Sequence, residues 1–263
     1  MNFSNFEIIP GSPNSKVILH VPHSAREIPE EVRAEILLND RELEIELDEM
    51  TDTDTDKLTF RGSAAADVTP WVFINRLSRL VVDPERFPDN REIMNSVGMG
   101  AIYTKTSMGT QLRLQDLERD NQLLDKYFHP YALAFTDLVV GRLDAVKNVT
   151  IIDIHSYRLK EHLNGVNKGQ RRPPICVGTD SFHTPQWLID SAIAAFTSAG
   201  EVILNEPYAG TYVPMKFYEK ERNVNSVMME NREDTIAGQG MERSARALAV
   251  LIDGIEARGV QSE

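Results

Sequence analysis

Hydrophobic positions along the chain fall into short, dense runs separated by longer stretches with a helical spacing. The runs KVILHV (Lys16–Val21), TPWVFIN (Thr69–Asn75), RLVVD (Arg79–Asp83) and NVTIIDIH (Asn148–His155) read as strands. PICVGT (Pro174–Thr179), EVILNE (Glu201–Glu206) and SVMMEN (Ser226–Asn231) follow in the same style. They are rich in Val and Ile and nearly uninterrupted, the pattern of strands covered on both faces. Between them lie helical patterns. PEEVRAEILL (Pro29–Leu38) carries proline at its first position and acids in its first turn. The long segment Leu117–Val146 should be kinked or split at Pro130. A helix capped by Thr184 and stopped at Gly200, and an amphipathic closing helix Met241–Ala257, complete the set. Strands interleaved with helices predict an α/β fold, a three-layer α/β/α arrangement around a mixed, largely parallel sheet. No linker divides residues 1–263, so a single domain is expected.

In such sheets functional groups gather where strands end, which directs attention to VILHVPHS, LVVDPER, TIIDIHSY and MMENR. Two histidines, His23 and His155, stand at matching places after apolar strands. Rigid strand ends suit metal ligands, and two such imidazoles with one carboxylate make a three-ligand zinc site with a fourth position open. A lone histidine at a strand end is more often a hydrogen-bonded structural residue, which is the reading for His20. The carboxylate has several sources. DEMTDTDTDKLTF supplies Asp48, Asp52, Asp54 and Asp56. A calcium loop is excluded there, because Lys57 replaces the turn glycine and Ser63 the bidentate glutamate. On a helix Asp52 and Asp56 share a face while Asp54 points away. Asp56, beside Leu58 and Phe60, is the acid expected to look inward, with Glu27 as a competitor four residues after His23.

The islands VPHSAREIP, TDTDTDKL, SRLVVDPER, IIDIHSY, NEPYAGTY and MMENR resemble, in that order, the motifs of the N-formylglutamate amidohydrolase family, which is distantly similar to the zinc carboxypeptidases. The resemblance implies one zinc ion per chain held by His23, Asp56 and His155. It also implies that Glu230 is the catalytic carboxylate. A glutamate in the otherwise apolar run SVMM is costly to bury without a purpose, and near metal-activated water it could shuttle a proton. Guanidinium groups grip carboxylates bidentately, which makes the arginines near these islands candidates. Arg79 is assigned to oxyanion stabilisation, and Arg86, Arg172 and Arg232 to substrate binding. Gly210 and Tyr212 read as a turn over the site. Asp83 and Asp153 are expected to orient the ligand histidines through their second nitrogens. Some positions depart from the family pattern: Ala25 stands for a usual glycine, Gly210-Thr211-Tyr212 for GGY, Asp54 for a frequent histidine, and DPERFPDN for an asparagine-arginine ending. All lie around the substrate rather than at the metal.

Composition narrows the partners. The chain has 41% hydrophobic and 26% charged residues and a formal net charge of −12, which argues against nucleic acid and anionic membrane. One cysteine, Cys176, excludes an intrachain disulfide and cysteine-rich zinc motifs. No signal-like or membrane-spanning run is apparent, so a cytoplasmic location is expected. The expected activity is hydrolysis of a small N-acyl, and by the resemblance N-formyl, acidic amino acid. Oligomeric state stays open.

Overall fold

A computed structural model describes residues 4–258 of the chain. In chain order its elements are β1 (Phe6–Ile9), β2 (Val17–Val21), α1 (Glu30–Arg33), α2 (Asp40–Met50), α3 (Thr55–Ala65) and β3 (Trp71–Asn75). They continue with α4 (Leu117–Leu123), α5 (His129–Val146), β4 (Val149–Tyr157), β5 (Ile175–Gly178), α6 (Gln186–Phe196), β6 (Val202–Leu204), β7 (Val224–Arg232) and α7 (Gln239–Ala257). The strands form one seven-stranded sheet in the order β1-β3-β2-β4-β7-β5-β6. Its centre, β3-β2-β4-β7, is parallel, while β1 and the β5/β6 pair run against it. The three-layer α/β expectation therefore holds.

Alternation along each strand assigns the two faces. Val17, Leu19, Ile152, Ile154, Val227 and Met229 point to the side covered by α3, α6 and α7, where Leu58, Phe196, Leu248 and Ile252 meet them. Ile18, Phe73, Val149 and Ile151 point the other way and pack on Tyr131, Phe135 and Val139 of α5. Both faces are sealed, which is why these strands read as continuous apolar runs. Gly62 of α3 lets α7 come close: a Cβ there would lie 2.6 Å from Leu248 Cδ2.

Several local expectations change. RLVVD is not a strand. Its valines are buried against Leu77, Leu123 and Phe128 in a satellite cluster, and the backbone turns, with Val81 N–H donating to Ser78 O. The helix expected over Pro29–Leu38 shrinks to a single turn, α1. Leu117–Val146 is helical throughout but passes through a π-helical turn, Leu124–Phe128, before Pro130, which absorbs the missing proline donor. Thr184 does not cap α6; its hydroxyl donates instead to Ser226 O on β7. Strand β1 and the acid-rich helix α2 were not foreseen. Among the described residues no helix is long and apolar enough to cross a membrane.

Candidate functional site

The parallel strands β2, β4 and β7 end at the same edge of the sheet, and the site is built there. His155 and Glu230 are register partners on β4 and β7, so they stand side by side on one face. His23 follows β2 by two residues, with Pro22 O held by the Asn75 amide. The third group arrives from the turn between α2 and α3. The backbone N–H of Asp52 donates to His23 O at 3.0 Å, and Ser156 Oγ donates to Thr53 O, which pins this turn to the ends of β2 and β4.

The result is a buried triad. Asp52 Oδ2 lies 2.9 Å from His155 Nδ1 and 3.6 Å from His23 Nδ1. One ligand atom from each of His23, Asp52 and His155 falls within 4.8 Å of the others, an arrangement that could hold a metal ion. His23 Nδ1 is buried without a hydrogen-bond partner among the described residues, and its other nitrogen is committed to Asp83 Oδ1 at 2.9 Å. An orphaned imidazole lone pair beside a carboxylate is what a divalent cation needs, so the residues fit such an ion.

This corrects the expected carboxylate. Asp56 belongs to none of the candidate ligand groups among the described residues; its Oδ1 accepts the N–H of Lys57 at the start of α3. The helical-face reasoning placed Asp52 and Asp56 on one helix, but α3 begins at Thr55 and Asp52 precedes it in the turn. Asp54, with a left-handed φ of 63°, pairs with Lys57. Glu27 is exposed.

Asp83 and Asp153 lie against the second ring nitrogens of His23 and His155, and of the two only Asp83 is hydrogen-bonded to its histidine among the described residues. Asp153 Oδ1 is 3.2 Å from His155 Nε2 and also accepts from His20 Nδ1 at 2.9 Å, while Tyr131 completes His20 on its far side. Asp83 is fully buried and accepts from Arg79 Nε and Nη2 and from the Tyr103 hydroxyl as well as from His23. Burial opposes the charge on Asp83, but Arg79 and His23 outweigh it and hold its carboxyl well below the usual range. Likewise burial and Arg79 push His23 down, whereas Asp83 and Asp52 more than offset them, and its net shift is upward.

Glu230 is the opposite case. It is 7% exposed, Cys176 flanks it on β5, and its Oε2 is buried with no hydrogen-bond partner among the described residues. Burial pushes its carboxyl up to about 8, against the pull of His155. A carboxylate poised there exchanges protons near neutral pH.

The remaining assigned residues divide. A cavity of about 390 Å³ is lined by His23, Asp52, His155 and Glu230 and also by Arg79, Arg86 and Arg172. Arg79 is held by Asp83 with its Nη1 3.6 Å from Asp52 Oδ1. Arg172 is stacked over Tyr157 and near Tyr208, donates to Arg158 O, and makes no ion pair among the described residues. Arg232 does not line this cavity. It pairs with Asp234 and donates to Arg172 O, which corrects its assignment from substrate contact to support of Arg172. Gly210 and Tyr212 line a neighbouring cavity instead, where Tyr212 stacks on Phe135 and donates its N–H to Asp153.

Sequence reasoning missed two groups. Asp52 was passed over because its approach to His23 depends on a tertiary hydrogen bond. Glu85 lies 3.4 Å from His20 Nδ1, 3.6 Å from His23 Nε2 and 3.4 Å from His155 Nε2, a carboxylate among three imidazoles. Its signal was the acid two residues after Asp83 in DPER.

The family model described as N-formylglutamate amidohydrolase matches residues 15–237. No curated protein matches the chain in sequence. The structure is similar to that of an N-formylglutamate amidohydrolase from Ralstonia eutropha, with a TM-score of 0.79 and 18% identity over 97% of this chain and 98% of that one. A gene product of Agrobacterium tumefaciens gives a TM-score of 0.70 at 18% identity, covering 97% of this chain and 95% of that chain.

Proposed function

The chain belongs to the N-formylglutamate amidohydrolase family and hydrolyses an amide, and from that premise we propose that it is a zinc-dependent hydrolase of N-acyl amino acids, with N-formyl-L-glutamate the reference substrate. The observation that carries this reading is the meeting of His23 Nδ1, Asp52 and His155 Nδ1 beside the unpartnered carboxyl of Glu230. Two imidazoles and one carboxylate suit zinc, one ion per chain, and a zinc ion there would polarise the acyl oxygen and acidify water.

The chain's own residues do the rest. Glu230 takes a proton from the attacking water and returns it to the departing nitrogen, a role open to a buried carboxyl that stands beside His155 without a hydrogen-bond partner among the described residues. Asp83 holds the His23 ring by a hydrogen bond and Asp153 lies 3.2 Å from His155 Nε2, with both Nδ1 atoms on the Asp52 side. Arg79, held by Asp83, supplies positive charge near the developing oxyanion. Arg172 grips a substrate carboxylate, for which its stacked, unpaired guanidinium is prepared. Water adds at the acyl carbon, the carbon–nitrogen bond breaks, and a carboxylic acid and a free amine leave.

The test is Glu230→Gln. The variant should bind zinc with wild-type stoichiometry by elemental analysis and lose at least 100-fold in kcat on N-formyl-L-glutamate, the scale of a lost general base. Undiminished turnover in the zinc-loaded variant would remove Glu230 from the mechanism.

A further inference from the structure

Two cavities meet at the ends of the parallel strands. Beside the one that holds the triad lies a larger one, of about 630 Å³, over the first turns of α5. Its wall is largely apolar: Phe87, Phe128, Leu133, Val213, Pro214 and Tyr218. The two share a boundary formed by Glu85, Arg86, Ile93, Ala209 and Met228. Met228 precedes Glu230 by two residues on β7, so the boundary and the candidate base occupy the same sheet face. Met228 lies over Gly178, its register partner on β5: a Cβ there would fall 2.3 Å from Met228 Cε and 2.4 Å from Gly210 O, so the missing side chain is what lets the methionine lie down on the sheet beside the Gly210 backbone.

A formyl group has two heavy atoms and leaves such a chamber unused, although ligand cavities of roughly 300–1,000 Å³ ordinarily enclose most of their ligand. We propose that the substrate carries a bulky apolar group that crosses the Met228–Ala209 boundary into the larger cavity, so that the preferred substrates are N-acyl amino acids with a carboxylate at one pole and a large hydrocarbon or aromatic group at the other. This rests on the hydrolase reading above and deepens it. Arg172 and Arg86 meet the carboxylate on the triad side, and the apolar group is desolvated by Phe128, Leu133 and Val213. Two molecules have this chemistry: a longer acyl chain on glutamate, or a formyl group on a large apolar amino acid.

The experiment separates them. On the zinc-loaded enzyme, kcat/KM is measured for N-acetyl-, N-butanoyl- and N-hexanoyl-L-glutamate, and for N-formyl-glycine, -leucine and -phenylalanine. Burying a methylene is worth roughly fourfold. One of the two series should therefore rise at least tenfold from its smallest to its largest member. Thr136→Trp, on α5 and lining the larger cavity, should erase that rise and leave N-formyl-L-glutamate turnover unchanged. Flat or falling values in both series, with N-formyl-L-glutamate hydrolysed, would overturn the inference and leave the hydrolase reading standing. If no amide is cleaved, the hydrolase reading fails, and calorimetric titration of Glu230→Gln decides the cavity. N-hexanoyl-L-glutamate or N-formyl-L-phenylalanine binding at least tenfold tighter than N-acetyl-L-glutamate retains the inference; equal affinities refute it.

Discussion

Replacing Asp83 by Asn changes one oxygen to an NH2 group in the most heavily connected carboxylate among the described residues. Oδ1 accepts from His23 Nε2 at 2.9 Å and from Glu85 N–H at 3.3 Å. Oδ2 accepts from Arg79 Nε at 3.1 Å and Nη2 at 2.7 Å and from Tyr103 at 2.7 Å, with Arg86 Nε at 3.5 Å. Every neighbour is a donor, so an asparagine amide turned either way sets N–H against N–H or O–H. The substitution also leaves Arg79, largely buried at the wall of the cavity, without its principal counter-charge. Breaking a buried ion pair from one side costs about 3–5 kcal/mol. For a chain of this size that corresponds to a fall in Tm of about 5–10 °C.

The pH dependence gives the reasoning a second handle. Asp83 has a depressed folded-state pKa, so its contribution is present above the ordinary carboxylate value of 3.8 and is lost as pH falls below that value through the folded one. The stability gap between wild type and Asp83→Asn should therefore narrow under about pH 4, and it should also shrink as pH rises through the His23 range, because Asp83 is one of the groups that raise that imidazole. Urea denaturation of chelator-treated protein across both ranges measures the gap. A competition titration against a zinc-binding dye should in parallel show a 10–100-fold loss of zinc affinity, because His23 loses the group that orients its ring. A variant within 1 kcal/mol of wild type at pH 6, with unchanged zinc affinity, would refute the assignment of Asp83 as the organising charge.

Other outcomes follow from the same geometry. Asp52→Ala should abolish stoichiometric zinc by elemental analysis while Asp56→Ala retains it; the reverse result would restore the helical-face assignment of Asp56. In chelator-treated protein Glu230 keeps its proton to about pH 8 when folded but loses it near 4.5 when unfolded, so wild type should lose stability across that interval as pH rises. Glu230→Gln escapes this loss, and its advantage in urea denaturation should grow from near zero at pH 4.5 to a few kcal/mol at pH 8; a pH-independent difference would contradict the buried, unpaired state of the carboxyl. Arg172→Met should raise KM for carboxylate-bearing substrates by about 10–100-fold with little change in kcat, the signature of a lost charge-assisted contact made equally in ground and transition states. A fall confined to kcat would move Arg172 into the chemical step.

What was legible in the sequence, and what was not, separates along one physical line. The strands β2, β4 and β7 were readable because each is buried on both faces and therefore spells an unbroken apolar run. His23, His155 and Glu230 were readable for the same reason, as polar groups placed where such runs end. RLVVD has the same composition but spends its valines on a cluster beneath a turn, and five residues hold too little pattern to tell the two apart. Helix α2 was hidden by Glu46, an acid at an inward position that accepts from Ser107 N–H and Oγ and so breaks the apolar stripe. Asp52 is the sharper lesson. Nothing local distinguishes it from Asp54 and Asp56 two and four residues on; what selects it is the bond from its own N–H to His23 O, formed between segments about thirty residues apart. That bond couples ligand and backbone. A substitution that loosens the Thr51–Asp54 turn without touching the carboxylate should weaken zinc binding as a lost ligand would, since the turn is what carries Asp52 to the histidines.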